Sequence, residues 1–222
     1  MIMEMKWIPD SVANKFEIYN YHHAVEIIAN AFPAEWKDII DTLSAFQIEV
    51  RDLAQSGGAE TNIPGKIDTV LYPRKWRNVQ IRGDLNISFY ERIVDRKQYA
   101  DFPTRESSVP GFLSGQQVDY LKGRVAVYLE WNKKDLAFDK TLTDIRMLYD
   151  CGIISAAVLI TRSGDLNDAF KEIEDEDGKP VARKYGSSST WIGRLLPRMD
   201  AHLSGGCPVL ILGIKKSCIE GY

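Results

Sequence analysis

Cysteine and histidine are both scarce in this 222-residue chain, which has three of each. Cys151, Cys207 and Cys218 form an odd set without metal-ligand spacing, so we expect free thiols rather than a disulfide or a zinc site. The pair His22-His23 has no serine or cysteine nucleophile motif around it, and the chain holds only one other histidine. The sequence therefore argues against thiolate-metal centres and against catalysis by a nucleophile and a histidine.

Long apolar runs and a secretory leader are also missing. No apolar stretch approaches the ~20 residues that a membrane-spanning helix requires. The first ten residues, MIMEMKWIPD, lack a basic segment followed by an apolar stretch and a cleavage site. We therefore expect a cytoplasmic protein with no membrane partner. Because no internal repeat or low-complexity linker marks a boundary, we expect a single domain over residues 1–222.

A strong excess of one charge is absent as well. The net charge of -3 argues mildly against nucleic-acid binding, but the charges are unevenly distributed. Residues 74–105 hold eight basic residues against four acidic ones, and residues 183–198 hold four basic residues and no acid. The acids concentrate in residues 165–177, as in a solvated helix end and loop. Charge alone leaves two interpretations open, DNA-lining surfaces and ordinary solvated faces.

Apolar periodicity predicts the elements. A helix, a turn and a second helix are expected over 19–46 with a break near Pro33, and the Gly-rich stretch 55–66 is expected to be a loop. Residues 74–94 suggest a helix end followed by irregular strands, and residues 101–115 form another Pro/Gly/Ser stretch. The chain is then expected to form two strands joined near Lys122-Gly123, a helix over 136–150, and apolar strands at 153–163 and 208–214. This order predicts an α/β fold with a central mixed β-sheet flanked by helices.

Two carboxylates stand out within the predicted strand pair. Side chains alternate along a strand, so Tyr128, Glu130 and Asn132 are expected on one face. Asp119 ends the preceding strand, and a reversal at Lys122-Gly123 would bring its carboxylate near Glu130. Two such carboxylates suit Mg²⁺, which promotes phosphodiester hydrolysis. The spacing is not specific, since a strand carboxylate is more often solvated or salt-bridged.

A resemblance adds to this interpretation. The segment VDYLKGRVAVYLEWNKKD, with ten residues between Asp119 and Glu130, resembles the active-site segment of the BglII/BstYI/BamHI group of restriction endonucleases. That group's pattern is an Asp, a similar spacer, and Glu-x-Glu or Glu-x-Gln on a strand. YNYHHAVEII and AEWKDI resemble its N-terminal helices, and Glu26 stands where some members have an active-site Glu. LYPRKWRN, KYGSSSTWIGRLLPR and PVLILGI also resemble segments of the group.

The resemblance implies a Type II site-specific deoxyribonuclease with a restriction-endonuclease-like PD-(D/E)xK core. It also implies Mg²⁺ held by Asp119 and Glu130, and a homodimer on palindromic double-stranded DNA with the 136–150 helix as the dimer element. A cognate DNA methyltransferase is expected as a functional partner, because unprotected host DNA would otherwise be cut. A GATC core in the target is a weak expectation only.

Two registers fit the motif. In one, Tyr128 stands where the group has its first strand carboxylate, and Glu130 takes the second position. In the other, Glu130 is the first carboxylate and Asn132 replaces the Gln. The first register removes a metal ligand, so Glu26 would need to compensate. Without compensation, the chain would be a sequence-specific DNA-binding protein with a weakened or lost nuclease site.

Two segments are candidates for DNA contact. Asn132, Lys133 and Lys134 resemble the group's loop that enters the major groove, where Asn and Lys suit base edges; a polar turn after a strand is the alternative. The second segment is the hydroxyl cluster that follows Gly186, flanked by basic residues for phosphate contact, with a helix N-cap as its alternative. Its members are Ser187, Ser188, Ser189 and Thr190, with Arg183, Lys184 and Arg194 on either side.

Overall fold

The structure is a computed structural model, which describes residues 5–54, 62–96, 98–186 and 188–221. Its main sheet has six strands in the order β1-β8-β7-β6-β5-β2, and β3 pairs with β4 in a separate hairpin. The strands are β1 (Phe16–Tyr21), β2 (Arg77–Phe89), β3 (Arg92–Ile93), β4 (Gln98–Tyr99), β5 (Arg105–Lys122), β6 (Val125–Leu129), β7 (Ala156–Arg162) and β8 (Val209–Ile214).

Helix α1 precedes β1, and the other helices lie between strands along the chain. They are α1 (Asp10–Ala13), α2 (Ala24–Ala31), α3 (Pro33–Ala45), α4 (Val50–Ala54), α5 (Ile63–Leu71), α6 (Ala137–Asp150), α7 (Gly164–Ala169) and α8 (Ile192–Asp200). Short 3-10 turns occupy Met5–Trp7, Tyr72–Arg74, Val94–Arg96, Val181–Arg183 and Lys216–Cys218. Within the described residues, none of the helices combines the length and the apolar character needed to cross a membrane.

The sheet is mixed, as predicted. Strand β7 pairs in parallel with both β6 and β8, while β1 pairs antiparallel with β8 and β5 pairs antiparallel with β6. Every residue of β6, β7 and β8 is buried. Continuous burial explains why β8 and the first five residues of β7 are unbroken apolar runs rather than alternating ones, because parallel strands are covered on both faces. The predicted α/β fold with a central mixed sheet and flanking helices is confirmed.

The structure corrects the predicted loop and assigns two further segments. In the stretch 55–66, residues 55–61 lie outside the described part, but α5 begins at Ile63, so the last four residues are helical. Most of the Pro/Gly/Ser stretch 101–115 is strand, because β5 begins at Arg105 and continues to Lys122. Residues 77–89 likewise form one regular strand rather than irregular ones. A two-stranded ribbon leaves one edge of each strand unpaired, and such edges tolerate Pro and Gly.

The chain divides into two compact units. The larger comprises Met1–Asn78 and Val118–Tyr222, and the smaller comprises Val79–Gln117. Within the smaller unit the Gly111 amide donates to Asp84 Oδ1 at 2.8 Å, and the Thr104 amide donates to the Phe89 carbonyl at 2.8 Å. All the residues of the candidate site described below belong to the larger unit. The single domain over 1–222 stays a prediction.

Candidate active site and DNA-facing segments

The tight turn between β5 and β6 is where the candidate site begins. The strand pairing runs from Tyr120 with Val127 to Lys122 with Val125, and Gly123 has a φ of +54°. The predicted hairpin at Lys122-Gly123 is therefore confirmed. Beyond these pairs, the Leu129 amide donates to Asp119 Oδ2 at 2.9 Å, which places the Asp119 carboxylate at the end of β6, next to Glu130.

Glu130 follows directly after β6 and is held from two sides. Its amide donates to the Ile160 carbonyl at 2.9 Å, and its own carbonyl accepts from Thr161 Oγ1 at 2.9 Å. Its Oε1 accepts from Thr141 Oγ1 of α6 at 2.7 Å. Strand β7 thus fixes the Glu130 backbone, and α6 fixes one of its carboxylate oxygens.

The electrostatics of Glu130 oppose its ionisation. The residue is only 2% exposed, and burial raises the pKa of its carboxyl. Lys133 Nζ, 3.3 Å from Glu130 Oε2, and the Thr141 hydroxyl act to lower that pKa, whereas the charge of Asp119 raises it. Burial outweighs the partners. The partners of Glu130 therefore stabilise its ionised form less than burial destabilises it.

The two carboxylates fit a divalent cation. Glu130 Oε2 is buried and accepts no hydrogen bond. Its contact with Lys133 is an ion pair at 3.3 Å. Asp119 lines a cavity of about 240 Å³ together with Asp68, Tyr72 and Lys133. Mg²⁺ is commonly held by only one or two carboxylates and keeps several waters. No group of three or more His, Cys, Asp or Glu side chains suited to a metal occurs in the described residues.

The backbone after β6 does not continue as a strand. Strand β6 ends at Leu129, and Asn132 has a φ of +51°, so its backbone is no longer extended. The expectation that Asn132 shares a strand face with Tyr128 and Glu130 is therefore wrong, because side-chain alternation requires an extended chain. Asn132 Nδ2 instead donates to the Lys184 carbonyl at 3.2 Å.

Tyr128 is almost fully buried, and its hydroxyl has no hydrogen-bond partner. Burial raises the pKa of this phenol, and the charges of Asp144 and Asp119 raise it further. A neutral, buried phenol cannot replace a carboxylate as a ligand for a hard cation. Tyr128 thus lies beside the two carboxylates without supplying a third.

Glu26 lies on α2, and among the described residues its side chain contacts neither Asp119 nor Glu130. Its Oε2 accepts from Asn20 Nδ2 at 2.8 Å, and this hydrogen bond is the main reason that its pKa is lowered. The charge of His23 lowers it further. The contacts place Asp119 next to Glu130 through the Leu129 amide and hold Glu26 through Asn20. The catalytic role expected for Glu26 stays a prediction.

The two predicted DNA-contacting segments adjoin each other. The Thr190 amide donates to the Lys133 carbonyl at 2.8 Å, and the Asp135 amide donates to the Ser188 carbonyl at 2.9 Å. Lys134 and Ser189 form an antiparallel bridge. We call these two adjoining segments, residues 132–135 and 188–190, the recognition platform. Because Lys133 contacts Glu130, the platform borders the two carboxylates.

The side chains of these segments divide into exposed and buried sets. Thr190 is fully buried and Ser189 nearly so, so the expectation that their hydroxyls reach DNA is not supported in this conformation. Lys184 is directed inward, where its Nζ donates to the Ala54 carbonyl at 2.5 Å. Ser187 lies outside the described residues. The exposed members are Lys133, Lys134, Arg183, Ser188 and Arg194.

Sequence reasoning missed two residues of the site. Thr141 of α6 contacts Glu130. A single threonine within a helix has no sequence feature that would predict this contact. Arg162 is buried at the end of β7 and contacts Ser189 and Thr190. The position of Arg162 at the end of an apolar run could have predicted its role. Charged residues are rarely buried unless they have partners, so an arginine there indicates polar contacts with another segment.

The comparison with protein families agrees with this geometry. The family model described as restriction endonuclease BglII/BglIII matches residues 16–214, a span that includes both carboxylates and the recognition platform. No curated protein matches the chain. The resemblance drawn from the sequence is confirmed. The chain belongs to the BglII/BglIII restriction endonuclease family and is a type II restriction endonuclease that acts on DNA.

Proposed function

We propose that this enzyme hydrolyses phosphodiester bonds of double-stranded DNA at a short palindromic site and depends on Mg²⁺. One observation carries the proposal. The buried Glu130 carboxylate, with one oxygen that makes no hydrogen bond, lies next to Asp119 and borders the recognition platform. A carboxylate placed in this way favours a cation that could also contact a DNA phosphate.

The protein groups have distinct roles in this proposal. Asp119 and Glu130 would hold the Mg²⁺ ion, which would lower the pKa of a bound water and stabilise charge on the scissile phosphate. Thr141 keeps one Glu130 oxygen in place through its 2.7 Å hydrogen bond. Lys133 is 52% exposed while its ammonium lies near Glu130, so it is also able to donate to a phosphate oxygen. Each subunit would cut one strand and leave a 5′ phosphate.

DNA recognition is assigned to the exposed part of the platform and the basic residues beside it. Lys133, Lys134 and Ser188 are exposed, and Asn132 is half-buried. Lysine and asparagine suit base edges in the major groove, whereas Arg183 and Arg194 suit the phosphates. Ser187 remains part of the prediction. A supporting catalytic role for Glu26, expected from the resemblance, also remains part of the prediction.

A palindromic site implies a homodimer, since a two-fold symmetric duplex is best matched by a two-fold symmetric protein. We keep α6 as the proposed dimer element. It holds Glu130 through Thr141, so dimer formation there would act directly on the site. A cognate DNA methyltransferase and a cytoplasmic location complete the proposal.

A second function is favoured by Tyr128, which is buried where the first register would require a carboxylate. In that case the protein would bind its DNA sequence but cut it slowly or not at all. The two functions differ in one observable, the fate of bound DNA when Mg²⁺ is supplied.

The test is to incubate the purified protein with unmethylated phage DNA in Mg²⁺ and, separately, in EDTA. Discrete Mg²⁺-dependent fragments are expected, and Asp119→Ala and Glu130→Ala should abolish them. Asp168→Asn is the matched control, because Asp168 is an exposed carboxylate whose ion pair is with Lys171. Unchanged cleavage by the Asp119 and Glu130 variants would refute the assigned site. Binding without cleavage by the wild type would select the second function.

A further inference from the structure

We propose that Arg162 is a positioning residue for sequence discrimination. It would fix the 188–190 segment of the recognition platform to the strand that also holds the Glu130 backbone. This inference rests on the proposed function, because it assumes that the platform contacts DNA. It goes beyond that function by assigning specificity to a residue that cannot touch DNA itself, since Arg162 is fully buried.

The contacts of Arg162 are concentrated on the platform. Its Nε and Nη2 both donate to the Thr190 carbonyl, at 3.2 and 2.9 Å. Nη2 also donates to Ser189 Oγ in a short hydrogen bond, and Nη1 donates to Asn167 Oδ1 at 2.7 Å. All three guanidinium nitrogens are therefore engaged, and two of them hold consecutive platform residues.

Aromatic rings surround the same guanidinium. Its carbon lies 5.1 Å from the ring centre of Tyr185, 5.8 Å from that of Phe170 and 5.9 Å from that of Trp131. Such distances allow cation–π attraction, which partly compensates for the loss of water. Trp131 adjoins the other platform segment, so the cage links both segments around Arg162.

The cost of burying the Arg162 charge indicates that this residue has a role other than stability. Its contacts are with a carbonyl, a hydroxyl, an amide and rings, and none of the described carboxylates forms an ion pair with it. Burial lowers the pKa of Arg162 to about 10. A buried charge without an opposite charge is costly, and apolar residues of similar volume often replace buried charged groups without loss of stability.

The neighbouring residue connects the platform to catalysis. Thr161 Oγ1 donates to the Glu130 carbonyl at 2.9 Å, and Thr161 immediately precedes Arg162 at the end of β7. Two consecutive residues of one strand therefore hold the catalytic segment and the DNA-facing segment. On a wrong DNA sequence Ser188 would shift. The shift would pass to Arg162 through its hydrogen bonds to Ser189 and Thr190, and from the adjacent Thr161 to Glu130. Discrimination is thus expected to depend on how rigidly Arg162 holds Thr190.

The test compares Arg162→Lys and Ser189→Ala with the wild type. Lysine keeps the charge but cannot engage all of these partners. Ser189→Ala removes one of the contacts of Arg162, together with the hydrogen bond that Ser189 Oγ donates to the Gly186 carbonyl. Arg51→Lys is the matched control, because Arg51 is an exposed arginine paired with Glu49, which does not belong to the platform. The target sequence is first read from the ends of wild-type fragments. Cleavage rates are then compared on a duplex with that target and on a duplex with one altered base pair.

We expect Arg162→Lys to lower the ratio of the two rates by about tenfold, which is the discrimination that one base pair commonly carries. Ser189→Ala should lower it less, and Arg51→Lys should not change it. Amide hydrogen exchange at residues 188–190 should quicken in Arg162→Lys. A merely structural role would lower both rates together and leave their ratio unchanged. If Arg162→Lys does not fold, an unchanged ratio in Ser189→Ala overturns the inference.

The two proposals fail in different ways. If the wild type does not cut, the proposed function fails, and the hydrogen-exchange comparison still tests whether Arg162 holds the platform. If the wild type cuts and neither the rate ratio nor the exchange changes in the variants, only the role of Arg162 is refuted.

Discussion

The Glu130 carboxylate lies in surroundings that oppose its charge. Burial raises its pKa, and only Lys133 and Thr141 act against that shift among its main contacts. A raised pKa means that the folded state favours the protonated acid. Without metal, protonated Glu130 therefore contributes to the free energy of unfolding at low pH. This contribution is lost as the pH rises through the raised pKa of Glu130.

Glu130→Gln tests this balance. We expect cleavage to fall about a hundredfold to a thousandfold, because metal-assisted charge stabilisation contributes several kcal/mol and each tenfold is ~1.4 kcal/mol. The metal-free variant should be as stable as the wild type at low pH and more stable at neutral pH. Urea unfolding in EDTA from about pH 5 to about pH 8 measures this. A variant that loses stability at neutral pH would contradict the assignment.

Thr141 provides a second test of how Glu130 is held. Thr141→Val keeps the shape of the side chain but removes the donor that lies 2.7 Å from Glu130 Oε1. A hydrogen bond to a charged group contributes ~1.5–3 kcal/mol, so we expect cleavage to slow by about tenfold or more. The Mg²⁺ concentration that gives half-maximal rate should also shift.

Thr141→Ser retains the hydroxyl and should restore most of the activity lost in Thr141→Val. Equal losses in both variants would show that packing of the threonine methyl, rather than the hydrogen bond, supports the site. Rates measured over a series of Mg²⁺ concentrations distinguish these results.

The β5–β6 hairpin places the two carboxylates, and its turn depends on Gly123. The residue has a φ of +54°, and an added Cβ would lie 3.1 Å from Glu35 Oε1. Gly123→Ala should lower the free energy of unfolding by about 1–2 kcal/mol, because this conformation is unfavourable for residues with a Cβ. Gly123→Asn should be better tolerated, since Asn visits this conformation more readily. Urea unfolding of both variants would contradict the argument if Ala proved no worse than Asn.

The platform predicts how DNA affinity responds to salt. The whole chain carries a net charge of -3, so attraction to DNA must come from locally exposed cations such as Lys134. Removing one phosphate contact reduces the slope of log affinity against log salt by ~0.9. We expect Lys134→Gln to flatten the slope by about this amount if Lys134 contacts a phosphate, and to leave the slope nearly unchanged but reduce discrimination if it reads a base.

Lys171→Gln is the control for that measurement, because Lys171 is exposed but paired with Asp168 in the acidic part of the chain. Binding titrations in EDTA at several salt concentrations give the slopes. Identical slopes and identical discrimination for Lys134→Gln and the wild type would place the DNA contact elsewhere.

The sequence by itself determined the features that depend on neighbouring residues. Apolar runs of strand length predicted β7 and β8, helical spacing predicted α3 and α6, and Lys122-Gly123 predicted the hairpin beside Asp119 and Glu130. These signals are local, because backbone periodicity and a tight reversal involve residues close together in the chain. The family resemblance also followed from the order of such segments.

Tertiary structure decided the contacts between segments that are distant in the chain. Strand β5 extends through a Pro/Gly/Ser stretch that local propensity reads as a loop, although pairing with another strand makes it extended. Asn132 leaves the strand face through a left-handed backbone, and Ser189 and Thr190 turn inward to meet Arg162. Side-chain burial and hydrogen bonding at such positions depend on which segments the fold packs together, and no local pattern encodes that choice.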